Sequence, residues 1–404
     1  MGVKVIVGMS GGVDSSVVAY LLNKKGYDVT GVMLRMQEDP ADPHAEEDAR
    51  RVAEKLGIPF EVIDCREQFE KEVVDYFTET YGNGMTPNPC CVCNPKVKWD
   101  ALIKRAESEE ALFVATGHYA VVEQLVGGRA ALRAVDSGKD QTYALYGLTQ
   151  DQLKRTFMPL GNYTKDEVRE MAAKIGLEVS DKPDSMETCF IPDHDYAKFI
   201  EERTGERKPE GNFVDTEGKI LGKHRGITHY TIGQRKGLGI AFGEPMFVKE
   251  IITGTDEVVL CRDEELWTTE LIAGALNPMG VDKLTKEMHL LAKIRYNHKG
   301  DSAAIVPLRK EDGSLIGDRI KVVFDTPVRA VTPGQAVVFY DKDGYVMGGG
   351  TILAETEEEA VAAGTVEDEK TPEEQYAALQ AEAGMGSTSA KMGYGSIMTG
   401  QEEN

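Results

Sequence analysis

The strongest constraint on the fold is an alternation of short apolar runs and helical segments near the start of the chain. The run VKVIVGMS, which begins at Val3, is typical of a strand buried in a parallel sheet. Residues 13–26 have helical spacing and end at a glycine, after which YDVTGVMLRM returns to a strand pattern. A charged helix at 44–57, the strand FEVIDC and a helix from about Glu67 to Tyr81 follow, with ALFVATGHYA as a later strand. The pattern predicts a doubly wound, Rossmann-like α/β parallel sheet, with ligands beyond the carboxyl ends of its strands.

The pattern changes beyond about Phe199 to short β segments and turns. The stretch Arg319–Leu353 alternates apolar and polar residues, and Asp343-Gly344 within it is typical of a hairpin turn. We therefore expect a small β-rich central domain and then a carboxyl-terminal antiparallel β-barrel. The predicted boundaries are 1–198 for the parallel-sheet domain, 199–273 for the central domain, 274–355 for the barrel and 356–404 for an acidic tail.

Length and charge narrow the class of protein. The 404 residues, 41% of them hydrophobic, suffice for two or three domains. The formal charge of −22 opposes binding to a polyanion, because such binding depends on Lys and Arg. Much of this charge is local, since residues 355–404 carry twelve acidic side chains and two lysines. The polar, small-residue composition of that tail predicts a mostly disordered segment.

Targeting signals and cysteine usage point to one compartment. No charged leader with an apolar core opens the chain, and no apolar run reaches the roughly 20 residues that a membrane span needs. Six cysteines scattered through so long a chain do not form a secreted disulfide framework. We expect a cytoplasmic protein without a membrane span, in which clustered cysteines are typical of catalysis or metal binding.

The loop GMSGGVDSS, at residues 8–16, is typical of a phosphate cradle. Its glycines allow close backbone approach, its serines supply hydroxyl donors, and the helix that follows presents N–H groups to an anion. It lacks the Lys-Ser/Thr ending of a Walker loop and does not match G-x-G-x-x-G, so neither a γ-phosphate transferase nor a dinucleotide binder is favoured. An ordinary glycine turn is the alternative. Asp14 is either a partner of the helix dipole or a magnesium contact.

Three of the cysteines, Cys90, Cys91 and Cys93, are crowded into the stretch TPNPCCVCNPK. Their spacing is compatible with a metal site, a redox pair or a sulfur-handling nucleophile. A lone cysteine such as Cys189, in ETCFIP, is more often an inert buried thiol than a reactive one. Only the fold can bring Cys189 near Cys93, because about a hundred residues separate them.

Six separated motifs give the chain a family resemblance. The stretch Ser10–Ser15, SGGVDS, resembles the PP-loop of ATP pyrophosphatases, which split ATP into AMP and pyrophosphate while adenylating a substrate oxygen. Further along the chain come TPNP with Cys93 and Asn94, then ATGHYA, KDQTYAL, KPDSMETCFI and HYTIGQRKGLGIA. Together these motifs resemble the bacterial tRNA-specific 2-thiouridylase family, from Val3 to about Leu353.

The resemblance implies a sulfurtransferase reaction in two halves. ATP, with Mg²⁺, adenylates the C2 oxygen of the wobble uridine of certain tRNAs, and a cysteine persulfide or a sulfide then displaces AMP. The implied partners are tRNA and a sulfur donor such as a cysteine desulfurase or a sulfur-relay protein. Residues 1–198 would bind ATP and hold the catalytic groups, and the barrel would bind tRNA.

The resemblance also implies roles for individual residues. In the family the equivalent of Cys189 carries the persulfide, and that of Cys93 attacks it, which releases the sulfur and closes a disulfide. The implied ATP-site residues are Gly8, Met9, Ser10, Gly11, Gly12, Val13, Asp14, Ser15, Leu34 and Gly117. The implied contacts with the target base and the tRNA are Asn88, Pro89, Cys90, His118, Lys139, Asp140, Gln141, Arg295, Tyr296 and Gln335. A structural histidine at His118 and a solvated turn at 139–141 are the alternatives to two of these contacts.

One position departs from the commonest family pattern. Many members carry Asp where this chain has Cys90, and a neutral thiol cannot replace the proton chemistry of a carboxylate. Cys90, Cys93 and Cys189 could instead ligate three irons of a 4Fe-4S cluster whose fourth iron carries sulfide. The persulfide and disulfide route is the first alternative. Structural zinc, with Cys91 as an awkward fourth ligand, or no metal at all, is the second.

Two other classes of function match parts of the sequence. A PP-loop amidotransferase or ligase would also release AMP and pyrophosphate, but it would need ammonia or an amine, and the sulfur motifs speak against it. A non-enzymatic iron–sulfur or zinc RNA-binding module would leave the PP-loop without a role. In HYTIGQRKGLGIA, Gln234, Arg235 and Lys236 either hold phosphate or cap a turn, and the family resemblance favours phosphate.

Overall fold

A computed structural model describes residues 2–37, 43–136, 138–177, 188–241, 243–310 and 312–363. Its first part contains β1 Lys4–Gly8, α1 Val13–Lys24, β2 Asp28–Arg35, α2 Ala45–Leu56, β3 Phe60–Asp64, α3 Arg66–Phe69, α4 Asp75–Gly82, α5 Pro89–Cys93, α6 Asp100–Ser108, β4 Phe113–Ala115, β5 Val121–Gln124, β6 Ala130–Arg133, α7 Thr142–Leu145, α8 Gln150–Lys154, β7 Thr156–Phe157, α9 Lys165–Lys174 and α10 Tyr196–Thr204. Five of these strands form a parallel sheet in the order β3-β2-β1-β4-β7, with β5 and β6 as a separate hairpin. The predicted doubly wound parallel sheet is confirmed.

The central strand β1 shows why this segment forms the middle of the sheet. Val5, Ile6 and Val7 are at most 1% exposed, so β1 is covered on both faces, as its unbroken apolar run predicts. Val5 and Val7 pack with α1 and α9, and Ile6 packs with α6. The carboxyl ends of β1, β2 and β4 therefore meet at one edge, where the loops that follow them can share a ligand.

The helix expected from about Glu67 to Tyr81 is interrupted. Between α3 and α4 the segment Glu70–Val74 is π-helical, and a second π-helical segment, Asn94–Trp99, joins α5 to α6. A π turn holds more residues than an α turn, which lets the adjacent Val73 and Val74 both bury in the core.

The central domain contains β8 Gly211–Val214, β9 Ile220–His224, β10 Phe247–Ile252 and β11 Glu257–Cys261, in the sheet order β10-β11-β8-β9. Its small core is built around Phe213, Val248, Val258 and Leu260. The prediction that the central domain is rich in β-strands is confirmed.

The carboxyl-terminal part contains β12 Trp267–Pro278, β13 Met288–Lys293, β14 Asp301–Arg309, β15 Leu315–Arg329, β16 Ala336–Tyr340, β17 Val346–Ile352 and α11 Glu357–Ala363. The six strands close into an antiparallel barrel in the order β12-β15-β14-β13-β16-β17, which confirms the predicted barrel. Gly344 has φ +81° in the turn that joins β16 to β17, as the Asp343-Gly344 pair predicted. The expected boundary between 273 and 274 falls inside β12.

The acidic tail begins as a helix rather than as a disordered segment. Thr356 and Glu359 form reciprocal hydrogen bonds that cap the start of α11, and Ala360 is fully buried against the barrel residues Ile272, Leu308 and Ile316. Apolar burial and a cap therefore override the acidic composition over these few residues. The remaining part of the predicted disordered tail, 364–404, lies outside the described residues.

The barrel and the parallel-sheet domain share a core. Met279, Val338 and Val346 of the barrel region belong to the same buried cluster as Leu132 and Tyr143 of the first domain. This shared packing fixes the barrel beside α7. No helix among the described residues is both long and apolar enough to cross a membrane.

Candidate active site

The loop between β1 and α1 is shaped by its own hydrogen bonds. The Ser10 N–H donates to Ser15 Oγ at 3.1 Å, and the hydroxyls of Ser15 and Ser16 donate to the Gly12 carbonyl at 3.3 and 2.8 Å. Gly11 has φ +76°, and a Cβ there would lie 2.2 Å from the Ala45 carbonyl oxygen, so only glycine fits. Gly12, the N-cap of α1, has no side chain to occupy the first helical N–H groups. Among the described residues, no side-chain cap covers the start of α1, which is the arrangement that an anion cradle requires.

Two neighbouring strands bring the other ATP-site candidates to this loop. Leu34 lies in β2 and Gly117 follows β4, and these strands flank β1 on either side. A Cβ on Gly117 would lie 2.8 Å from Ser15 N and 3.0 Å from the Asp14 Cβ, so the loop after β4 packs directly on the start of α1. The structure therefore places the predicted ATP-site residues along one edge of the sheet.

Asp14 forms an ion pair that the sequence did not reveal. Lys165 Nζ donates to both Asp14 carboxylate oxygens, at 2.8 and 2.7 Å, and the Tyr119 hydroxyl donates to Oδ1 at 2.8 Å. Lys165 is the first residue of α9, whose start is fixed by reciprocal bonds between Thr164 and Glu167. That capping box is visible in the sequence TKDE, but its contact with Asp14 depends on the fold. With its carboxylate already engaged, Asp14 can contact magnesium only if Lys165 moves away.

The helix α5 directs its cysteines to different sides. Cys90 and Cys93 are three residues apart and share a face, whereas Cys91 does not. The Cys91 thiol lies 3.8 Å from the Tyr143 carbonyl oxygen, and the Cys93 thiol lies 3.8 Å from the Met36 sulfur. Cys91 therefore faces α7 and Cys93 faces the end of β2.

The end of β2 also holds the segment of Cys189. Gln37 Nε2 donates to the Cys189 carbonyl oxygen at 2.7 Å, next to Met36, which contacts Cys93. Cys189 is exposed, whereas Cys93 is buried. Sequence reasoning missed Met36 and Gln37, although both directly follow the strand whose end was expected to line the site. Most of the motif KPDSMETCFI lies outside the described residues.

Electrostatics link Cys93 and Cys189, the two cysteines predicted to be catalytic. Burial raises the pKa of Cys93 to about 12, against the opposing effect of Lys98. Negative charge on Cys189 and Cys90 raises it further. The contacts of Met36 with Cys93 and of Gln37 with Cys189 agree with this, because they place the two segments beside the same strand end.

Lys98 is the nearby cation, and the sequence analysis did not single it out. Burial alone would lower the pKa of Lys98, but negative charge on Cys93, Cys90 and Cys189 outweighs that effect and raises it. Lys98 lies in the π-helical segment that continues from α5. The sequence feature that could have identified Lys98 is its position five residues after Cys93 on a continuous helical segment.

The described residues contain no group of three or more His, Cys, Asp or Glu side chains arranged to hold a metal ion. As they stand, Cys90, Cys93 and Cys189 do not match the ligand set of a 4Fe-4S cluster. Cys91, which faces Tyr143, does not join them. The cluster stays a prediction from the sequence.

His118 is half-buried. Its ring lies 5.3 Å from that of Trp99, and its Nδ1 lies 2.9 Å from Thr116 Oγ1. Burial, together with the charge of Lys98, lowers the pKa of His118 to about 3. A neutral ring with these neighbours is typical of a structural histidine. The predicted contact of His118 with tRNA stays a prediction.

The polar turn at 139–141 is partly committed to internal contacts. Both Asp140 carboxylate oxygens accept hydrogen bonds from the Thr142 hydroxyl, at 3.0 and 2.8 Å. Gln141 Oε1 accepts from the Tyr119 N–H at 2.9 Å. Lys139 is exposed, and its predicted contact with tRNA stays a prediction.

The barrel candidates differ in exposure. Tyr296 is 44% exposed with its edge toward Tyr143, and Arg295 Nη1 donates to the Arg329 carbonyl at 3.1 Å from an exposed position. Gln335 instead donates its amide to the carbonyl oxygens of Thr86 and Pro87. Arg295 and Tyr296 are exposed and their contacts with tRNA stay predictions, whereas the Gln335 amide is engaged within the chain.

The glycine-rich segment of the central domain caps its own turn. Gln234 Oε1 accepts from the Thr231 N–H and its Nε2 donates to the Lys236 carbonyl, both at 2.9 Å. Of the two interpretations of this segment, the structure supports the capped turn for Gln234.

Family models match three successive parts of the chain. Residues 3–193 match a tRNA methyl transferase HUP domain, 197–262 a tRNA methyl transferase PRC-barrel domain, and 268–352 an aminomethyltransferase beta-barrel domain. Among solved structures, the U34-tRNA thiolase NcsA from Methanococcus maripaludis with its 4Fe-4S cluster has a TM-score of 0.33 and 22% identity. That match covers 50% of this chain and 66% of the thiolase.

Curated relatives match nearly from end to end. The tRNA-specific 2-thiouridylase MnmA of Lachnoclostridium phytofermentans is 53% identical, over 87% of this chain and 99% of the relative. The proteins of the same name from Clostridium acetobutylicum and Carboxydothermus hydrogenoformans are 51% and 49% identical, over 87% and 86% of this chain and 100% and 97% of the relatives. With about half of all residues shared over almost the whole of each relative, the chain belongs to the tRNA-specific 2-thiouridylase family.

Proposed function

We propose that this chain 2-thiolates the wobble uridine of tRNA by adenylating the C2 oxygen with ATP and then transferring sulfur through Cys189 and Cys93. The observation that carries the proposal is that the anion cradle and the two cysteines lie at the same edge of the sheet. The anion cradle follows β1, and the contacts to both cysteines follow β2, the neighbouring strand. A cytoplasmic location, where tRNA and ATP are found, belongs to the proposal.

In the first half-reaction the uridine C2 oxygen attacks the α-phosphorus of ATP, and pyrophosphate leaves. The backbone of Gly11 and Gly12 and the first N–H groups of α1 hold the phosphates and stabilise negative charge as it shifts to the leaving group. Bound Mg²⁺ would neutralise phosphate charge, with Asp14 as its protein contact once Lys165 has moved. The product is an O-adenylated base with AMP as its leaving group.

In the second half-reaction a persulfide on Cys189, loaded by a cysteine desulfurase or a sulfur-relay protein, supplies the sulfur. The exposed position of Cys189 supports loading by another protein. The Cys93 thiol loses its proton and attacks the Cys189 sulfur, so a Cys93–Cys189 disulfide forms and hydrosulfide leaves. Hydrosulfide then attacks C2 and AMP departs, after which a thiol reductant reduces the disulfide.

Lys98 supports the attack by Cys93. The thiol is buried, and its thiolate is stabilised by the nearby ammonium group. Cys90 stands where many members have aspartate, and a thiol there cannot act as the carboxylate acid or base. In this chain Lys98 is the cation that stabilises the Cys93 thiolate during the attack.

A 4Fe-4S cluster held by Cys90, Cys93 and Cys189 is the second candidate for the sulfur carrier. The observation that favours it is the common neighbourhood of the three thiols. The described residues do not form a metal-binding group, so we assign no step to a cluster. Iron content decides between the two carriers.

The test is thiolation in an oxygen-free reaction with ATP, magnesium and unmodified tRNA. We expect 2-thiouridine with a persulfide donor, in protein from which iron has been removed, with one AMP formed for each modified base. Thiolation that requires iron would replace the persulfide route with the cluster. AMP formation that depends on ammonia rather than on sulfur would overturn the function itself.

A further inference from the structure

The loop that leads into the cysteine helix is held by the barrel. Thr86 and Pro87 directly precede Asn88 and Pro89, the residues assigned to the target base. The Thr86 N–H donates to the Pro333 carbonyl at 2.9 Å, in the turn between β15 and β16. A barrel segment far along the chain therefore fixes the backbone at Thr86, two residues before Asn88.

Gly334 allows the two backbones to meet. It has φ +89°, and a Cβ there would lie 2.8 Å from the Thr86 carbonyl oxygen and 3.0 Å from its nitrogen. A backbone neighbour cannot move aside as the end of a flexible side chain can. The Gly334 N–H donates to the Ile352 carbonyl at 2.9 Å, so the turn is itself fixed to β17.

Gln335 adds a side-chain contact to the same loop. Its Nε2 donates to the Thr86 carbonyl at 3.3 Å and to the Pro87 carbonyl at 3.2 Å. Its own backbone is bonded to Thr332 and Ile352, at 3.2 and 2.8 Å. One amide group therefore holds two successive carbonyls from a rigid strand end.

The other end of the loop rests on the central domain. Gly84 has φ +71°, and a Cβ there would lie 3.0 Å from the side chains of Ile251 and Thr253. The short segment 84–87 is thus held between two domains, each approaching it where a glycine leaves room. This arrangement leaves little freedom for the residues that follow.

We propose that the barrel turn 332–335 positions the target-base loop, so that the barrel controls the rate of the chemical steps in addition to contacting tRNA. The inference rests on the proposed function. Gly334 and Gln335 act through Thr86 and Pro87 and are positioning residues. A displacement of about 1 Å at a reacting group slows a reaction on the order of 100-fold, which is why such a contact matters.

The experiment compares Gly334→Ala with Gly313→Ala in the full chain. Both glycines have positive φ, +89° and +83°, but a Cβ on Gly313 meets nothing within 4 Å. We expect Gly334→Ala to slow single-turnover thiolation at saturating tRNA by roughly 10- to 100-fold, with tRNA Kd within twofold of the parent. Gly313→Ala should leave both quantities unchanged.

Gln335→Leu is a second variant. It removes the amide that donates to the Thr86 and Pro87 carbonyls and keeps a side chain of similar volume. We expect a slower chemical step at unchanged tRNA Kd. A weaker Kd with an unchanged rate would assign Gln335 to tRNA binding and overturn the inference, as would a Gly334→Ala protein of parental rate. Absence of thiolation by the parent chain would instead refute the proposed function.

Discussion

The anion cradle and the cysteine site face the same sheet edge but are built in different ways. The cradle is formed by residues 8–16, whose serine hydroxyls and one left-handed glycine fix its shape locally. The cysteine site combines α5, the end of β2 and a segment around Cys189, and burial raises the pKa of its proposed nucleophile, Cys93. The shape of the cradle is therefore set within one short segment, whereas the cysteine site depends on three segments that meet around a buried thiol.

The largest expected effect is that of a variant that stops sulfur transfer and leaves the reaction of ATP intact. Cys189→Ser should lower 2-thiouridine formation by roughly 1,000-fold or more, because the sulfur carrier is lost. Pyrophosphate release that depends on tRNA should persist for a single turnover, because adenylation uses the untouched cradle after β1, whereas AMP departs only when sulfur attacks C2. Mass spectrometry of digested tRNA and an enzymatic assay of pyrophosphate measure the two. The control is Cys261→Ser, at a buried cysteine of the central domain. Equal loss of both products in Cys189→Ser would mean that the regions are not independent.

The next effect tests the buried state of the Cys93 thiol. Burial raises its pKa to about 12, so the thiolate fraction rises with pH throughout the alkaline range without levelling off. Alkylation of Cys93 by iodoacetamide should accelerate about 100-fold between pH 8 and 10, against about fourfold for a thiol of ordinary pKa near 8.5.

Peptide mass spectrometry follows this alkylation, with the protein unfolded in urea as the control. In urea the Cys93 rate should level off near pH 9, because solvent then surrounds the thiol. A folded protein that shows the same early plateau would place a reactive thiolate at Cys93 and remove the contrast with the cradle.

A smaller effect probes the shape of the cradle. Gly11→Ala places a Cβ 2.2 Å from the Ala45 carbonyl oxygen, so the loop must shift away from its anion-binding geometry. We expect ATP affinity to fall by more than about tenfold, as for the loss of a well-oriented phosphate contact. Gly57→Ala is the matched control, with φ +67° and nothing within 4 Å of its Cβ. Equilibrium ATP binding measures both; similar affinities for the two variants would show that the cradle is less rigid than its hydrogen bonds indicate.

The smallest effect concerns the Asp14 ion pair. Lys165→Met removes the donor to both carboxylate oxygens and should lower the free energy of unfolding by about 1–2 kcal/mol. Tyr119→Phe, which removes one hydroxyl bond, should cost about 1 kcal/mol. Lys174→Met, on the same helix, removes an exposed pair with Glu170 and should change stability by less than about 0.5 kcal/mol.

Urea denaturation measures these differences, and a double-mutant cycle with Asp14→Asn isolates the coupling between Asp14 and Lys165. No coupling in that cycle would show that Lys165 stabilises α9 alone. A Lys165→Met protein with unchanged stability but weaker ATP binding would instead place the lysine on a phosphate.

The sequence predicted the cradle better than the cysteine site, for a physical reason. Ser10, Gly11 and Ser15 act through contacts within a few residues, and such contacts are encoded in the order of the chain. Met36 and Gln37 carried no such signal, because their contacts with Cys93 and Cys189 arise only when distant segments pack together. The ion pair between Asp14 and Lys165 was missed for the same reason.

By itself the sequence determined the parallel sheet, the central β-rich domain, the barrel and the phosphate-binding loop, because periodic apolar patterns and turn residues act locally. The tertiary structure decided which groups share a neighbourhood. It placed Lys98 beside the thiols, packed His118 on Trp99 and turned the predicted tRNA contact Gln335 toward Thr86. It also ordered the start of the acidic tail as α11, because burial of Ala360 against the barrel outweighs a composition that favours disorder. Burial and long-range contact depend on the whole fold, and no short stretch of this sequence specifies them.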